Sequence, residues 1–137
     1  MNILFTCAGR RTYLLKYFKE QLGENDSIVA TDMQISAPAL TAADVAIQVP
    51  AVYADDYLDK TIQICKDNKV DILICLNDLE LPILAENIDR FKAINVLPIV
   101  SNSNVIEICF DKQKTADFIE SIGLKTPTTY SNYNEAL

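Results

Sequence analysis

Five short apolar runs, each separated from the next by a helical or turn-like segment, constrain the fold of this chain more than any other feature. Asn2-Ile3-Leu4-Phe5-Thr6, Ser27-Ile28-Val29-Ala30-Thr31 and Val70-Asp71-Ile72-Leu73-Ile74-Cys75 are almost continuously apolar, as strands covered on both faces must be. Val45-Ala46-Ile47-Gln48-Val49, ended by Pro50, and Asn95 to Val100 complete the set. Between the first two runs, Leu14, Leu15, Phe18 and Leu22 recur at helical spacing and predict a helix over Thr12 to Leu22, with Gly23 as its stop. Pro38 to Ala43 reads as a short helix or turn. From Asp56 to Asp67, the residues Tyr57, Leu58, Thr61, Ile62 and Cys65 form a sheet-facing stripe. Asn77 is placed to cap the next helix, with Glu80 as its reciprocal partner in a capping box and Leu81, Leu84, Ala85 and Ile88 as the buried face.

Alternation of this kind predicts an α/β fold, a doubly wound parallel sheet of about five strands with right-handed crossovers. Such sheets bind ligands at the carboxyl ends of their strands, where the crossover direction switches. That rule singles out Cys7 to Arg11, Asp32, and Asn77 to Glu80. From Ser101 the pattern changes: helical segments at about Asn104 to Phe110 and Asp111 to Ile122 follow each other without a strand between them. Gly123 stops the second, and Leu124 to Tyr130, with Pro127 inside it, reads as extended chain. A boundary is expected near residues 101 to 111.

Length and charge narrow the function classes. At 137 residues the chain is one compact domain, or one plus the opening of a second. A net charge of -7 repels phosphate backbones and anionic lipid surfaces, so no nucleic-acid or membrane partner is expected, and no apolar run approaches the roughly 18 residues of a membrane span. There is no His, which excludes His-assisted nucleophiles among these residues. Cys7, Cys65, Cys75 and Cys109 lack the close pairing of a zinc motif and read as reduced, mostly buried thiols of a cytoplasmic protein.

Cys7-Ala8-Gly9-Arg10-Arg11 joins the first strand to the first helix, where free backbone N–H groups and the helix dipole favour an anion and two arginines add forked donors. The alternative is that both arginines pair with surface acids. A dinucleotide fingerprint fits poorly, because only Gly9 of its three glycines is present. Asp32 stands where such folds hold a ribose hydroxyl, and equally where a turn acid would stand. Asp78 and Glu80 are placed either to accept hydrogen bonds from a substrate or to cap a helix. Asp55 and Asp56 read as acids at a helix start rather than metal ligands, and the tyrosines are too scattered to form a stacking platform.

Several local patterns together resemble the ATP-grasp superfamily, in particular large-subunit-like proteins related to carbamoyl phosphate synthase. They are Asn2 through Arg11 with Tyr13-Leu14-Leu15; Asp32 with Ala37-Pro38-Ala39-Leu40, Ala43-Asp44, Val49-Pro50 and Tyr57; and Asn77-Asp78-Leu79-Glu80-Leu81. The most specific is Ser101-Asn102-Ser103 through Ile106 to Asp111-Lys112, then Thr115, Phe118, Ile119, Gly123 and Thr126-Pro127. The resemblance implies a Rossmann-like pre-ATP-grasp domain over residues 1–110 and the start of an ATP-grasp domain over 111–137. It also implies ATP and Mg²⁺ as cofactors of a longer enzyme, which phosphorylates a carboxylate and lets an amine or other nucleophile displace the phosphate. Gly9 and Arg10 match the loop facing the acceptor substrate and Asp78 the acidic position beyond the fourth strand; Arg11 and Glu80 stand beside them. Lys112 matches a cation near the ATP phosphates, against the plain alternative of a solvated helix lysine.

The sequence therefore reads as the substrate-side part of an ATP-dependent carbon–nitrogen ligase, inactive over these residues alone. Its expected partners are a small carboxylate substrate, the remaining ATP-grasp lobes in cis or on a split chain, and, through an apolar patch near residues 101–137, a second copy in a homodimer. The competing reading is a non-catalytic Rossmann-like module that binds a small anion or a partner chain.

Overall fold

A computed structural model describes residues 1–130 and 132–135. The chain divides into two compact units, Met1–Val100 and Ser101–Leu137. The first is built on five parallel strands, β1 (Asn2–Thr6), β2 (Ser27–Asp32), β3 (Val45–Gln48), β4 (Ile72–Cys75) and β5 (Leu97–Ile99), in the order β3-β2-β1-β4-β5. Around them run α1 (Thr12–Lys19), α2 (Tyr57–Asp67), α3 (Leu81–Glu86) and α4 (Ile88–Lys92), with a 3₁₀ turn at Pro38–Ala42 and another at Asp78–Glu80. Strand and helix types agree with the sequence reading, and the fold is the doubly wound, Rossmann-like sheet it predicts.

Two cores, one on each face, follow from the alternation of side chains along the strands. In register across the sheet, Leu4 pairs with Val29 on β2 and with Leu73 on β4. These three point to one face, where Tyr57, Ile64 and Cys65 of α2, Leu84 of α3 and Phe91 of α4 cover them. Ile3, Phe5, Ile28 and Ala30 point the other way, onto Leu15 of α1 and onto Ala39 and Leu40 of the 3₁₀ turn. Phe5 also meets Phe18 edge to face, with ring centroids 5.0 Å apart. Burying the central strands on both sides is why their sequences are nearly unbroken apolar runs.

Differences from expectation are local. Helix α1 ends at Lys19 rather than Leu22, and Gly23 lies beyond it in a turn where its N–H donates to Asp26 Oδ2 at 2.9 Å. The helix after Asn77 is not continuous: a 3₁₀ turn precedes α3, which opens at Leu81 with Pro82 in its first turn, and Asn87 separates α3 from α4. β5 is an edge strand with Pro98 at its centre, flanked by Leu97 and Ile99, which are about half exposed.

In the second unit, α5 (Ser103–Phe110) packs on α6 (Lys112–Ser121) with Ile106 and Ala116 buried. Each helix begins at its own side-chain cap, which explains two helices in succession. Asn102 Oδ1 accepts from Val105 N at 3.0 Å, and Asp111 Oδ1 accepts from Gln113 N at 2.8 Å. Gly123, at φ +80°, ends α6 in the left-handed conformation that suits glycine. Phe110, Phe118, Ile122, Leu124, Tyr130 and Tyr133 are exposed apolar residues of this unit. Cys109 is exposed, against the expectation of buried thiols, while Cys65 is buried and Cys7 and Cys75 are half-buried; all four are free.

Candidate functional site

The crossover direction switches between β1 and β4, so the loops leaving these strands frame the crevice where such sheets bind ligands. The β1–α1 loop leaves the sheet through Cys7 at φ +50° and Gly9 at φ +55°. Its backbone is tied to β2, because Ala8 N donates to Thr31 O at 3.0 Å and Gly9 N donates to Asp32 Oδ2 at 2.8 Å. Asp32 Oδ1 accepts from Gln34 N at 2.9 Å, so both oxygens of this strand-end acid hold backbone turns.

Arg10 and Arg11 follow this loop and are exposed. Arg11 occupies the N-cap position of α1 without a side-chain cap bond, so the helix start keeps its positive end free. A Cβ on Gly9 would lie 3.6 Å from Arg11 Nη1, which places that guanidinium beside the glycine. Among the described residues no carboxylate forms an ion pair with Arg10 or Arg11, although the chain is rich in acids. Two unpaired guanidiniums beside an uncapped helix start make a place where a carboxylate or phosphate would be held by forked, charge-assisted donors.

Across the switch point, Asp78 and Glu80 part company. Asp78 is exposed. Glu80 is fully buried, with Oε2 accepting from Thr6 Oγ1 at 2.6 Å and from Cys75 Sγ at 3.2 Å, and Oε1 accepting from Tyr57 OH at 2.8 Å. Half of the expected capping box forms. Asn77 Oδ1 accepts from Leu79 N at 3.1 Å, but the Glu80 carboxyl turns inward instead of reaching back to Asn77.

Electrostatics around this carboxyl suppress nearby ionisation. Burial, reinforced by the charge of Glu80, pushes the Cys7 thiol up to about 12 and drives the Tyr57 phenol and the Cys75 thiol upward as well. The phenol's partners are Glu80 and, at 3.8 Å, Cys7 Sγ. These are inert groups, not nucleophiles.

The cluster of Thr6, Tyr57, Cys75 and Glu80 is what sequence reasoning missed. Tyr57 was legible only as part of the stripe that α2 turns to the sheet, and its hydroxyl lies 23 positions from its acceptor. Lys112, exposed at the first position of α6, belongs to the second unit. Among the described residues no three His, Cys, Asp or Glu side chains come together to hold a metal ion, and no helix is long and apolar enough to cross a membrane.

An all-parallel, doubly wound sheet with an exposed, basic loop at its switch point defines a Rossmann-like domain. The family described as "PylC-like, N-terminal domain" matches residues 3–100, and the chain belongs to it, as an N-terminal domain of the ATP-grasp superfamily. No curated protein matches the sequence. Among solved structures, glycinamide-RNase-transformylase T from Mycobacterium tuberculosis is similar at a TM-score of 0.70 and 16% identity, over 93% of this chain and 37% of that one. The L-amino acid ligase from Bacillus licheniformis is similar at 0.64 and 20% identity, over 92% and 31%. N5-carboxyaminoimidazole ribonucleotide synthetase from Thermotoga maritima is similar at 0.65 and 14% identity, over 93% and 32%. The chain thus spans about a third of the length of these proteins, and at such identities the likeness is one of fold.

Proposed function

We propose that this chain is the N-terminal, substrate-side domain of an ATP-dependent carboxylate–amine or related ligase that works through an acyl phosphate, with residues 1–137 inactive by themselves. The observation that carries the reading is the pair of exposed, unpaired arginines at the carboxyl end of β1, beside the open start of α1. Arg10 and Arg11 hold the carboxylate of a small acceptor, Gly9 lets the backbone approach it, and Asp78, across the switch point, accepts from its amine or hydroxyl. The likeness in fold to an L-amino acid ligase and to an N5-carboxyaminoimidazole ribonucleotide synthetase supports a ligase, as does the resemblance of the Ser101 to Pro127 junction to proteins related to carbamoyl phosphate synthase.

In such an enzyme ATP, when bound, would supply the phosphoryl group and Mg²⁺ would neutralise the charge of its phosphates. The described residues offer no cage for Mg²⁺ and do not fit that metal. Lys112 fits a single cationic contact to nucleotide phosphates, with the ATP-grasp portion proper opening at the Asp111–Lys112 segment. The ligase setting is cytoplasmic.

Calorimetric titration with a panel of amino acids and short carboxylates tests the site. Arg10→Ala should weaken the best ligand by about 1.5 to 3 kcal/mol, the range for hydrogen bonds to charged groups, and unchanged affinity removes the arginine from the site. Sustained ADP release by the purified 137 residues would overturn the inactive-alone part of the proposal.

A further inference from the structure

The loop that carries the arginines is gripped from two sides by carboxyl groups, one half-buried at the end of β2 and one fully buried in the turn beyond β4. On the β2 side Asp32 holds Gly9 N at 2.8 Å and Gln34 N at 2.9 Å. On the β4 side Glu80 holds the Thr6 hydroxyl at 2.6 Å, at the last residue of β1, and the same carboxyl ties in Tyr57 of α2 and Cys75 of β4. Between the two grips the backbone passes through Cys7 at φ +50°, a conformation that a side chain with a Cβ rarely adopts and that persists only where the surroundings hold it. Beyond it, Gly9 O accepts from Ala39 N at 3.0 Å, so the loop is also tied to the 3₁₀ turn.

We propose that Glu80 is a positioning residue: together with Asp32 it holds the Cys7–Arg11 loop in the shape that presents Arg10 and Arg11 at the switch point, and it acts through Thr6 rather than on a ligand. Full burial keeps it from any ligand in the crevice. An acceptor-only side chain suits the place, because the surrounding hydroxyls and thiol donate into it. Each of its partners lies on a different element, so the one carboxyl ties β1, α2 and β4 together ahead of the loop. The consequence for ligand binding rests on the anion-site reading above; the grip itself does not.

Amide hydrogen exchange on the 137-residue chain tests the grip. The N–H groups of Ala8, Gly9 and Arg11 are bonded to Thr31 O, Asp32 Oδ2 and Ala8 O, and they report on the loop; Asn68 N, bonded to Ile64 O at the far end of α2, reports on the fold. In Glu80→Gln and in Thr6→Val the loop amides should exchange about tenfold faster while Asn68 is unchanged, and Thr6→Ser should restore the slow rate. Thr6→Val removes one donor at nearly constant shape, so it serves if the Glu80 variant fails to fold. Unchanged loop exchange in folded Thr6→Val, or an equal rise at Asn68, overturns the proposal. Inorganic phosphate, titrated against the Arg10 and Arg11 side-chain resonances, separates the two readings. A loosened loop with weakened phosphate binding supports both; a loosened loop with unaltered phosphate binding overturns the positioning role, and no phosphate response at either arginine in the unsubstituted chain overturns the anion site while leaving the grip to be judged by exchange.

Discussion

The two edges of the one sheet use carboxyl groups in opposite ways. At the amino edge, Asp71 Oδ2 accepts from Asn2 N at 2.7 Å, Asn2 Nδ2 donates to the Asn68 and Lys69 carbonyls, and Asp26 pairs with the terminal ammonium of Met1. These bonds are mostly exposed, and they close strand starts that water would otherwise satisfy. At the carboxyl edge, Glu80 is sealed from water and Asp32 is half-buried, while the cations of the β1–α1 loop, Arg10 and Arg11, are left outside and form no ion pair among the described residues. The difference teaches that acids at this sheet's ends are not interchangeable: one set finishes the strand starts, the other holds the loop from which Arg10 and Arg11 stand exposed.

The comparison breaks most directly on stability. Glu80→Ala strands the buried Thr6 and Tyr57 hydroxyls and should cost about 3 kcal/mol in urea unfolding, whereas Asp71→Ala, whose partner turns to water, should cost about 1 kcal/mol. Equal losses would erase the distinction between the edges.

Thiol chemistry sharpens it next. With Cys7 and Cys65 each held up at about 12 by burial, and Cys75 raised by burial and by Glu80, iodoacetamide at pH 8 should modify the exposed Cys109 quickly and the other three slowly. Because these thiols lose their protons at higher pH in the folded chain than in the unfolded one, their contribution to stability is complete below about pH 9 and is lost as pH rises toward 12. Rapid modification of Cys7 would show that the loop opens freely, and an alkaline limb without decline would count against the burial.

The smallest effect belongs to the amino edge. Asp44 is held below the usual carboxylate range by its bond from Lys19 and then by Ile28 N, and Asp26 by its bonds from the terminal ammonium and Gly23 N. Groups depressed in this way stabilise the fold above the ordinary carboxylate pKa of about 4, and that stability disappears as pH falls through their lower folded values. Asp44→Asn should flatten this acid limb of an unfolding curve, and an unaltered limb would show that the Lys19 pair is not held in solution.

Where sequence and structure agree, the signal was local burial. The runs at Asn2–Thr6 and Ser27–Asp32 could be placed because a strand covered on both faces has no room for a polar alternate. The stripe of α2 was legible for the same reason, since Tyr57, Thr61, Ile62 and Cys65 are all buried. Asn77 and Glu80 show the limit. Their spacing matches a capping box, and nothing nearby in sequence reveals that the Glu80 carboxyl has stronger partners 74 and 23 positions away in Thr6 and Tyr57. Gly23 failed differently: a glycine after a helical pattern is a fair stop signal, but Glu20 N and Leu22 N already satisfy the final carbonyls of Lys16 and Phe18, and the turn uses Gly23 for its bond to Asp26.

Pro98, at the centre of the edge strand β5, has a consequence for how the molecule meets its neighbours. Leu97 N donates inward to Asp71 O, so the alternate residue, Pro98, has its backbone turned outward, where its ring nitrogen carries no hydrogen and its carbonyl is taken by Val100 N at 3.1 Å. A foreign strand approaching that rim meets no donor at the middle of β5, and an acceptor there that already serves Val100 N. The flanking Leu97 and Ile99 are therefore apolar without being adhesive in the β sense, and runaway growth of the sheet into fibrils is checked at that rim by a single imino acid.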